Sequence, residues 1–366
     1  MKARGVMSFA DYMQLVLYHP EYGYYQRSVL PMGAKGDFLT APEISPLFAD
    51  CLATECANVF SSLDSQECIE YGAGSGQLAI DLINALRQQG IHIKRYIIIE
   101  VSQSLREKQR ERIQAALQDD SKFVIWLDAA PLDFCGVVIA NEVLDAIPCH
   151  TFSVQDGEFF ERAVGFSSDQ LTFVNVPLFS PGLKEALASL QKELTFPVTY
   201  ASEINLHVND FIKQLLKPLK KAVVFLIDYG YGQKEYYHPE RVNGTLTCFH
   251  QHHYHDDPFK LPGLQDITAH VDFTRVADCA LEMGASVLGF TTQAHFLLSL
   301  GLMEHAKRRE EQLSAVEQFQ LHDAIKRLTF PTEMGETIKI MALAKGCDAH
   351  DVRLAGFRLK DRRQEL

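Results

Sequence analysis

Nowhere in the 366 residues do 18 apolar positions run together, so no stretch reads as a membrane-spanning helix. The opening MKARGVMSFADYM holds neither the apolar run of a signal peptide nor an extended Arg/Ser-rich leader, and a soluble, cytoplasmic protein is the expectation. Positive charge is scarce. Thirty-five Lys and Arg face 47 Asp and Glu, a formal net charge of -12, with a pI near 5.6. A nonspecific grip on nucleic acid needs basic residues gathered on one face, so a neutral or cationic partner fits better. The eight cysteines (Cys51, Cys56, Cys68, Cys135, Cys149, Cys248, Cys279, Cys347) contain no C-x-x-C pair, and several sit in apolar runs. That argues against a disulfide frame or zinc knuckle and for reduced, mostly buried thiols. Internal repeats and low-complexity tracts are also missing.

What is present is ordinary globular composition, 47% hydrophobic and 22% charged, in a length that suggests about two domains. Short β-branched runs alternate with longer amphipathic segments, the pattern of an open α/β sheet with crossover helices. The expected strands are 67–71 (ECIEY), 95–101 (RYIIIEV), 122–127 (KFVIWL), 136–141 (GVVIAN), 222–229 (AVVFLIDY), 285–290 (ASVLGF) and 336–346 (ETIKIMALAKG). Helices are expected in GQLAIDLINALRQQG and SQSLREKQRERIQAALQ. Asp156-Gly157 between two β-type runs of 150–166 signals a hairpin. The expected organisation is a helical, lid-like segment over 1–65, a core over 66–148 and 220–346, an insertion with a β-hairpin and helices over 149–219, and a tail over 347–366.

The stretch IEYGAGSGQLA, 69–79, ends a strand in Glu70, then sets Gly72, Gly74 and Gly76 before a helix. Glycines there let the backbone turn tightly and approach a ligand. A dinucleotide fingerprint would require a third glycine at position 77, which is Gln, and no Gly-Lys-Ser/Thr follows for a Walker loop. Glu100 ends the next strand, 28 positions after Gly72, where a carboxylate accepts both hydroxyls of a ribose. Asp128 in WLDAAP follows the third strand, placed to meet an adenine amine, with Trp126 or Leu127 to pack on the ring. The G-x-G-x-G spacing after an acid resembles the first motif of class I S-adenosylmethionine methyltransferases.

Beyond these motifs the chain resembles the MidA-type methyltransferases along nearly its whole length. The resemblance rests on HPEYGYY (19–25), GDFLTAPEIS (36–45), IEYGAGSGQLA (69–79), IEVSQSLREKQ (99–109), NEVLDAIP (141–148), IDYGYG (227–232), DITAHVDF (266–273) and EMGETIKIMALAKG (333–346). It implies a seven-stranded mixed sheet with helices on both faces and the last strand antiparallel. It also implies S-adenosylmethionine as cofactor, with S-adenosylhomocysteine as product. The family includes the mitochondrial complex I assembly factor that dimethylates arginine symmetrically. The implied acceptor is therefore a protein arginine, with a respiratory-complex subunit as candidate; a homo-oligomer is compatible with the sequence.

An arginine acceptor sets a chemical requirement. Its guanidinium is protonated at neutral pH, and removing that proton first, across about six pK units, would cost about 8 kcal/mol. Proton loss should accompany or follow transfer, a task for carboxylates that clamp the planar fork and receive the proton. NEVLDAIP supplies Glu142 and Asp145 for that clamp and Asn141 on the cofactor side; the competing reading makes Asp145 a helix cap. Asp228 of IDYGYG is a further substrate-contacting candidate, or else an acid that ties a loop. Thr40 and Glu43 read either as a capping box or, with the loop around Asp37, as a closure over the cofactor. CFHQHHYHDDPF (248–259) invites a metal reading, but ligand spacing within a single loop is poorly constrained and no metal is expected. His252 and His255 are instead candidates to line the substrate cleft and move a proton. The rival functions are a small-molecule or nucleic-acid methyltransferase, and an assembly protein that keeps the fold and acts by binding.

Overall fold

The structure, a computed structural model, describes residues 5–26, 40–251 and 253–366. In chain order α1 (Phe9–Tyr18), α2 (Ala41–Ile44) and α3 (Leu47–Leu63) precede β1 (Glu67–Tyr71). Then α4 (Gln77–Gln88), β2 (Arg95–Ile99), α5 (Gln103–Leu117), β3 (Val124–Leu127) and β4 (Phe134–Asn141) follow. The chain next makes β5 (His150–Gln155), β6 (Glu158–Ser167), β7 (Gln170–Val176), α6 (Leu183–Glu193), β8 (Thr199–Ile204) and α7 (His207–Leu216), before the long β9 (Leu219–Tyr231). The last strands are β10 (Thr247–His250), β11 (His253–His255), β12 (Asp266–Thr268), β13 (Val271–Asp272), β14 (Ala285–Thr292) and β15 (Ile338–Lys345).

The central sheet runs β14-β15-β9-β4-β1-β2-β3, with β13 joining the end of β9. From β3 to β9 all neighbours are parallel; β15 is antiparallel to both β9 and β14. Parallel strands are covered on both faces and read as continuous apolar runs, as Val137 to Ala140 and Ala222 to Ile227 do, all fully buried. One face packs against α3, α4 and α5 through residues such as Leu52, Leu82 and Ile113. The other packs against α7 and the helix Phe273–Glu282 through Ile212, Leu215 and Val276. The expected seven strands, their two-sided cover and the antiparallel last strand are all present.

The hairpin forms where expected. Asp156 (φ 51) and Gly157 (φ 83) both take the left-handed region, as a two-residue loop matching strand twist requires. It belongs to a larger unit than a hairpin, the four-stranded antiparallel sheet β7-β6-β5-β8. The histidine-rich stretch is likewise not a loop alone: β10, β11 and β12 make a three-stranded sheet. Residues 347–366 lie against the main body. Val352 and Phe357 enter the core, and the buried Glu55 carboxylate accepts the Ala355 and Gly356 N–H groups at 2.9 and 2.8 Å.

Candidate active site

Because β1, β2, β3 and β4 are parallel, their C-terminal ends meet on one edge, and a cavity of about 860 Å³ opens there. Glu70, Gly72, Gly74, Glu100, Asp128, Asn141, Glu142, Thr40 and Glu43 all line it. Three glycines make the turn after β1, at φ 63, 54 and 80 for Gly72, Gly74 and Gly76, a backbone that residues with a Cβ adopt at a cost. The Gly72 N–H donates to Ile99 O at 2.9 Å, and a Cβ on Gly72 would stand 2.9 Å from Val143 Cγ2. The turn is therefore pressed between the ends of β2 and β4.

Two buried acids flank this turn. The Tyr96 hydroxyl donates to Glu70 at 2.6 Å. Burial pushes the Glu70 carboxyl up to about 7, against the pull of Tyr96 and with a further push from Glu100. Glu100 accepts the Ser102 N–H at 3.0 Å on one oxygen and Gln109 Nε2 at 3.1 Å on the other. Burial raises it too, opposed by those donors. Asp128 offers an exposed carboxylate, 93% accessible, held by Arg106 at 2.7 Å. Arg106 also donates to Glu100 O at 2.6 Å, so one guanidinium fastens the ends of β2 and β3. Neither Trp126 nor Leu127 reaches the cavity wall. Strand alternation sends Trp126 to one core and Leu127 to the other, while Ile99, Ala129, Ala130, Leu132, Phe211 and Leu215 supply the apolar surface.

Thr40 begins α2 but its side chain makes no capping bond, so the capping box is not formed. Glu43 turns inward instead, accepting from the Ser75 hydroxyl of the glycine turn and lying 3.5 Å from Arg112. Both features fit the closure reading. Asp37 and His252 fall outside the described residues.

At the end of β4 the chain bends sharply. Glu142 has φ 51, an uncommon value for a residue with a side chain, and its N–H donates to Ile227 O at 2.8 Å. Its carboxyl accepts Asn141 Nδ2 at 3.2 Å and sits at about 8. Burial is the main cause and Asp145 adds to it, while Asn141 and the Ala41 N–H pull the other way. Asp145 and Asp228 are buried just behind and do not line the cavity. Burial, then the neighbouring acids, hold Asp145 well above the carboxylate range and Asp228 at about 8. Asp228 accepts the backbone N–H groups of Val143, Leu144 and Asp145 at 3.1, 2.8 and 3.2 Å, and its own neighbour Tyr229 at 2.8 Å. It ties the loop that carries Glu142, and the expected substrate contact is not made from this position.

His255 is also placed away from the cavity wall. It lies on β11 opposite Cys248, with Nδ1 accepting the Asp257 N–H at 3.3 Å. Among the described residues no three His, Cys, Asp or Glu side chains gather as metal ligands. Two tyrosines of the N-terminal segment do reach the site. Tyr18 and Tyr25 line the cavity with their rings 5.4 Å apart. The Tyr18 hydroxyl donates to Ala146 O at 2.9 Å and that of Tyr25 to Asp266 at 2.8 Å. With both hydroxyls engaged, what remains is ring surface beside the Glu142 loop. Tyr25 belonged to the aromatic run HPEYGYY, which by itself carries no direction, and Tyr18, one position before it, had no signal of its own.

The parallel strands with a final antiparallel one, the glycine turn and the successive acids together define a class I S-adenosylmethionine-dependent methyltransferase. The residues fit that cofactor. Gly72 turns bare backbone toward the cavity where a Cβ would collide with Val143, Glu100 offers its carboxylate one strand away, and Asn141 Oδ1 is buried without a partner. Residues 51–291 match the model of a family described as putative S-adenosyl-L-methionine-dependent methyltransferases, and the chain belongs to that family. Among solved structures, a likely methyl transfer enzyme from Burkholderia thailandensis, bound to S-adenosyl-homocysteine, superposes with a TM-score of 0.92. It is 36% identical, over 100% of this chain and 94% of that one. The mitochondrial protein arginine methyltransferase NDUFAF7 of Homo sapiens is 28% identical, covering 94% of this chain and 81% of its own. Its Drosophila melanogaster homolog is 27% identical, over 93% and 82%. S-adenosylmethionine is thus the cofactor of this chain.

Proposed function

We propose that the protein transfers methyl groups to arginine side chains of a protein substrate, dimethylating them symmetrically as the MidA resemblance implies. The observation that carries the reading is the chamber at the Glu142 end, a carboxyl group beside two tyrosine ring faces. Aromatic faces and a carboxylate together favour a planar cation. The relatives named protein arginine methyltransferases, at 27 to 28% identity, point the same way.

Glu70, Glu100, Asp128, Asn141 and the glycine turn would hold S-adenosylmethionine, which supplies an electrophilic methyl group on a sulfonium. Glu142 performs the proton accounting. Burial and Asp145 keep it near 8, so it is largely protonated at neutral pH. An entering guanidinium brings a fixed positive charge that favours the carboxylate, and Glu142 releases its proton to solvent as it clamps the fork. As the guanidinium nitrogen gains a methyl group, the same carboxylate can take the proton that nitrogen sheds. Asp228 and Asp145 hold the loop that aims it. Among the described residues no helix is long and apolar enough to cross a membrane, and a cytoplasmic setting belongs to this proposal.

The test is incubation of the protein with labelled S-adenosylmethionine and the lysate of its native host, followed by mapping of the label. Dimethylarginine in a protein is the expected product. Label confined to lysine, to nucleic acid or to a small molecule overturns the assignment, as does the absence of any labelled product.

A further inference from the structure

Gln109 is the odd member of its helix. The buried stripe of α5 runs Leu105, Gln109, Ile113 and Leu117, positions that an amphipathic helix fills with apolar side chains. Gln109 is nonetheless 0% exposed. Its Nε2 donates to Gly74 O at 2.9 Å and to Glu100 Oε2 at 3.1 Å, and its Oε1 accepts the Trp126 Nε1–H at 2.9 Å. Each partner belongs to a different piece of the site: the turn after β1, the acid after β2, and β3 just before Asp128. Reversing the amide would set its oxygen against a carbonyl and a carboxylate, and its NH₂ against an N–H, so only one orientation satisfies all three. A Cβ on Gly76 would come within 3.2 Å of Ile113 Cδ1 and 3.7 Å of Gln109 Cγ. The third glycine of the turn therefore lies directly on this part of α5.

We infer that Gln109 is the positioning residue of the S-adenosylmethionine site, and that Trp126, the only tryptophan in the chain, reports cofactor binding through it. Neither side chain lines the cavity, so their influence passes through the three hydrogen bonds. A buried amide that serves a carboxylate is a strong and directional tie. It fixes the rotamer of Glu100 relative to the turn before any ligand arrives. Without it the turn and the acid are ordered separately, and binding must supply that ordering. The loss falls on affinity for donor and product and spares the methyl transfer step. Indole emission responds to the hydrogen bond of its N–H, so displacement of Gln109 is visible at Trp126.

The experiment titrates S-adenosylhomocysteine into the full-length protein and into Gln109→Leu and Trp126→Phe, by calorimetry and, where the indole is present, by emission. In the parent, the ligand shifts the Trp126 emission. In Gln109→Leu the affinity falls about 10-fold or more, the emission response is lost, and KM for the donor rises in step while kcat stays within about 2-fold. Trp126→Phe removes only one donor, and its affinity falls about 3-fold. Unchanged affinity in Gln109→Leu, or a loss confined to kcat, overturns the inference. If Gln109→Leu does not fold, Trp126→Phe decides: the 3-fold loss supports the role, and parental affinity refutes it.

Discussion

At the cofactor end of the cavity the buried acids have neutral donors to hand, Tyr96 for Glu70 and Ser102 with Gln109 for Glu100. At the other end Glu142, Asp145 and Asp228 are buried beside one another, and each raises a neighbour. Among the described residues none of these three forms an ion pair. Burying a carboxylate is unfavourable unless it is hydrogen-bonded or paired. The first end answers that with donors already in place, so it is finished before a ligand arrives. The second supplies four backbone N–H groups to Asp228 but otherwise answers it by holding protons, with no cation beside its acids among the described residues. On the proposed function, a cationic acceptor completes it.

The largest way to break the comparison is to spoil the finished end. Gly72→Val places a branched side chain at φ 63 and into the 2.9 Å gap to Val143, and should weaken S-adenosylhomocysteine binding about 100-fold by calorimetry. Glu100→Gln, which keeps the shape and removes the charge, should cost about 10-fold. Asp228→Ala attacks the other end from behind. Four backbone N–H groups lose their acceptor, and denaturant unfolding should show a loss of about 3 kcal/mol. Parental stability in that variant would remove Asp228 from its loop-holding role.

How far this division could be read from the residues differs between the two ends. The glycine turn, Glu100 and Asp128 were legible because strand, turn and acid lie within a few positions of each other and repeat along one sheet edge. The hairpin was legible from Asp156-Gly157 for the same local reason. Tyr18 and Tyr25 were not, since their place depends on α1 crossing to the β4 loop more than 100 positions away. Gln109 hid as one polar residue in a polar helix. Of the two readings of Thr40 and Glu43, the capping box rests on a local signal, and the contact from Glu43 to Ser75 is a tertiary one that won. Asp228 sat in a matching block and His255 in a histidine-rich stretch, but neither signal says which way a side chain faces.

The smallest expected effect is on stability against pH. Glu142 and Asp228 sit at about 8 in the folded chain, above their ordinary 4.5 and 3.8. The folded state then binds more protons than the unfolded one between those limits. The contribution is present in full below about 4 and is lost as pH rises through about 8. The thermal midpoint should accordingly fall from pH 6 to pH 9, and Glu142→Gln should recover about 2 °C of that fall. A midpoint that rises over this range would contradict the protonated state assigned to the acceptor end.

The most direct test of the division is Glu142→Gln measured twice, for S-adenosylhomocysteine affinity by calorimetry and for transfer of labelled methyl to acceptor protein. Affinity within about 2-fold of the parent, together with turnover lowered about 100-fold or more, is the predicted result. Undiminished methyl transfer in that variant would contradict it.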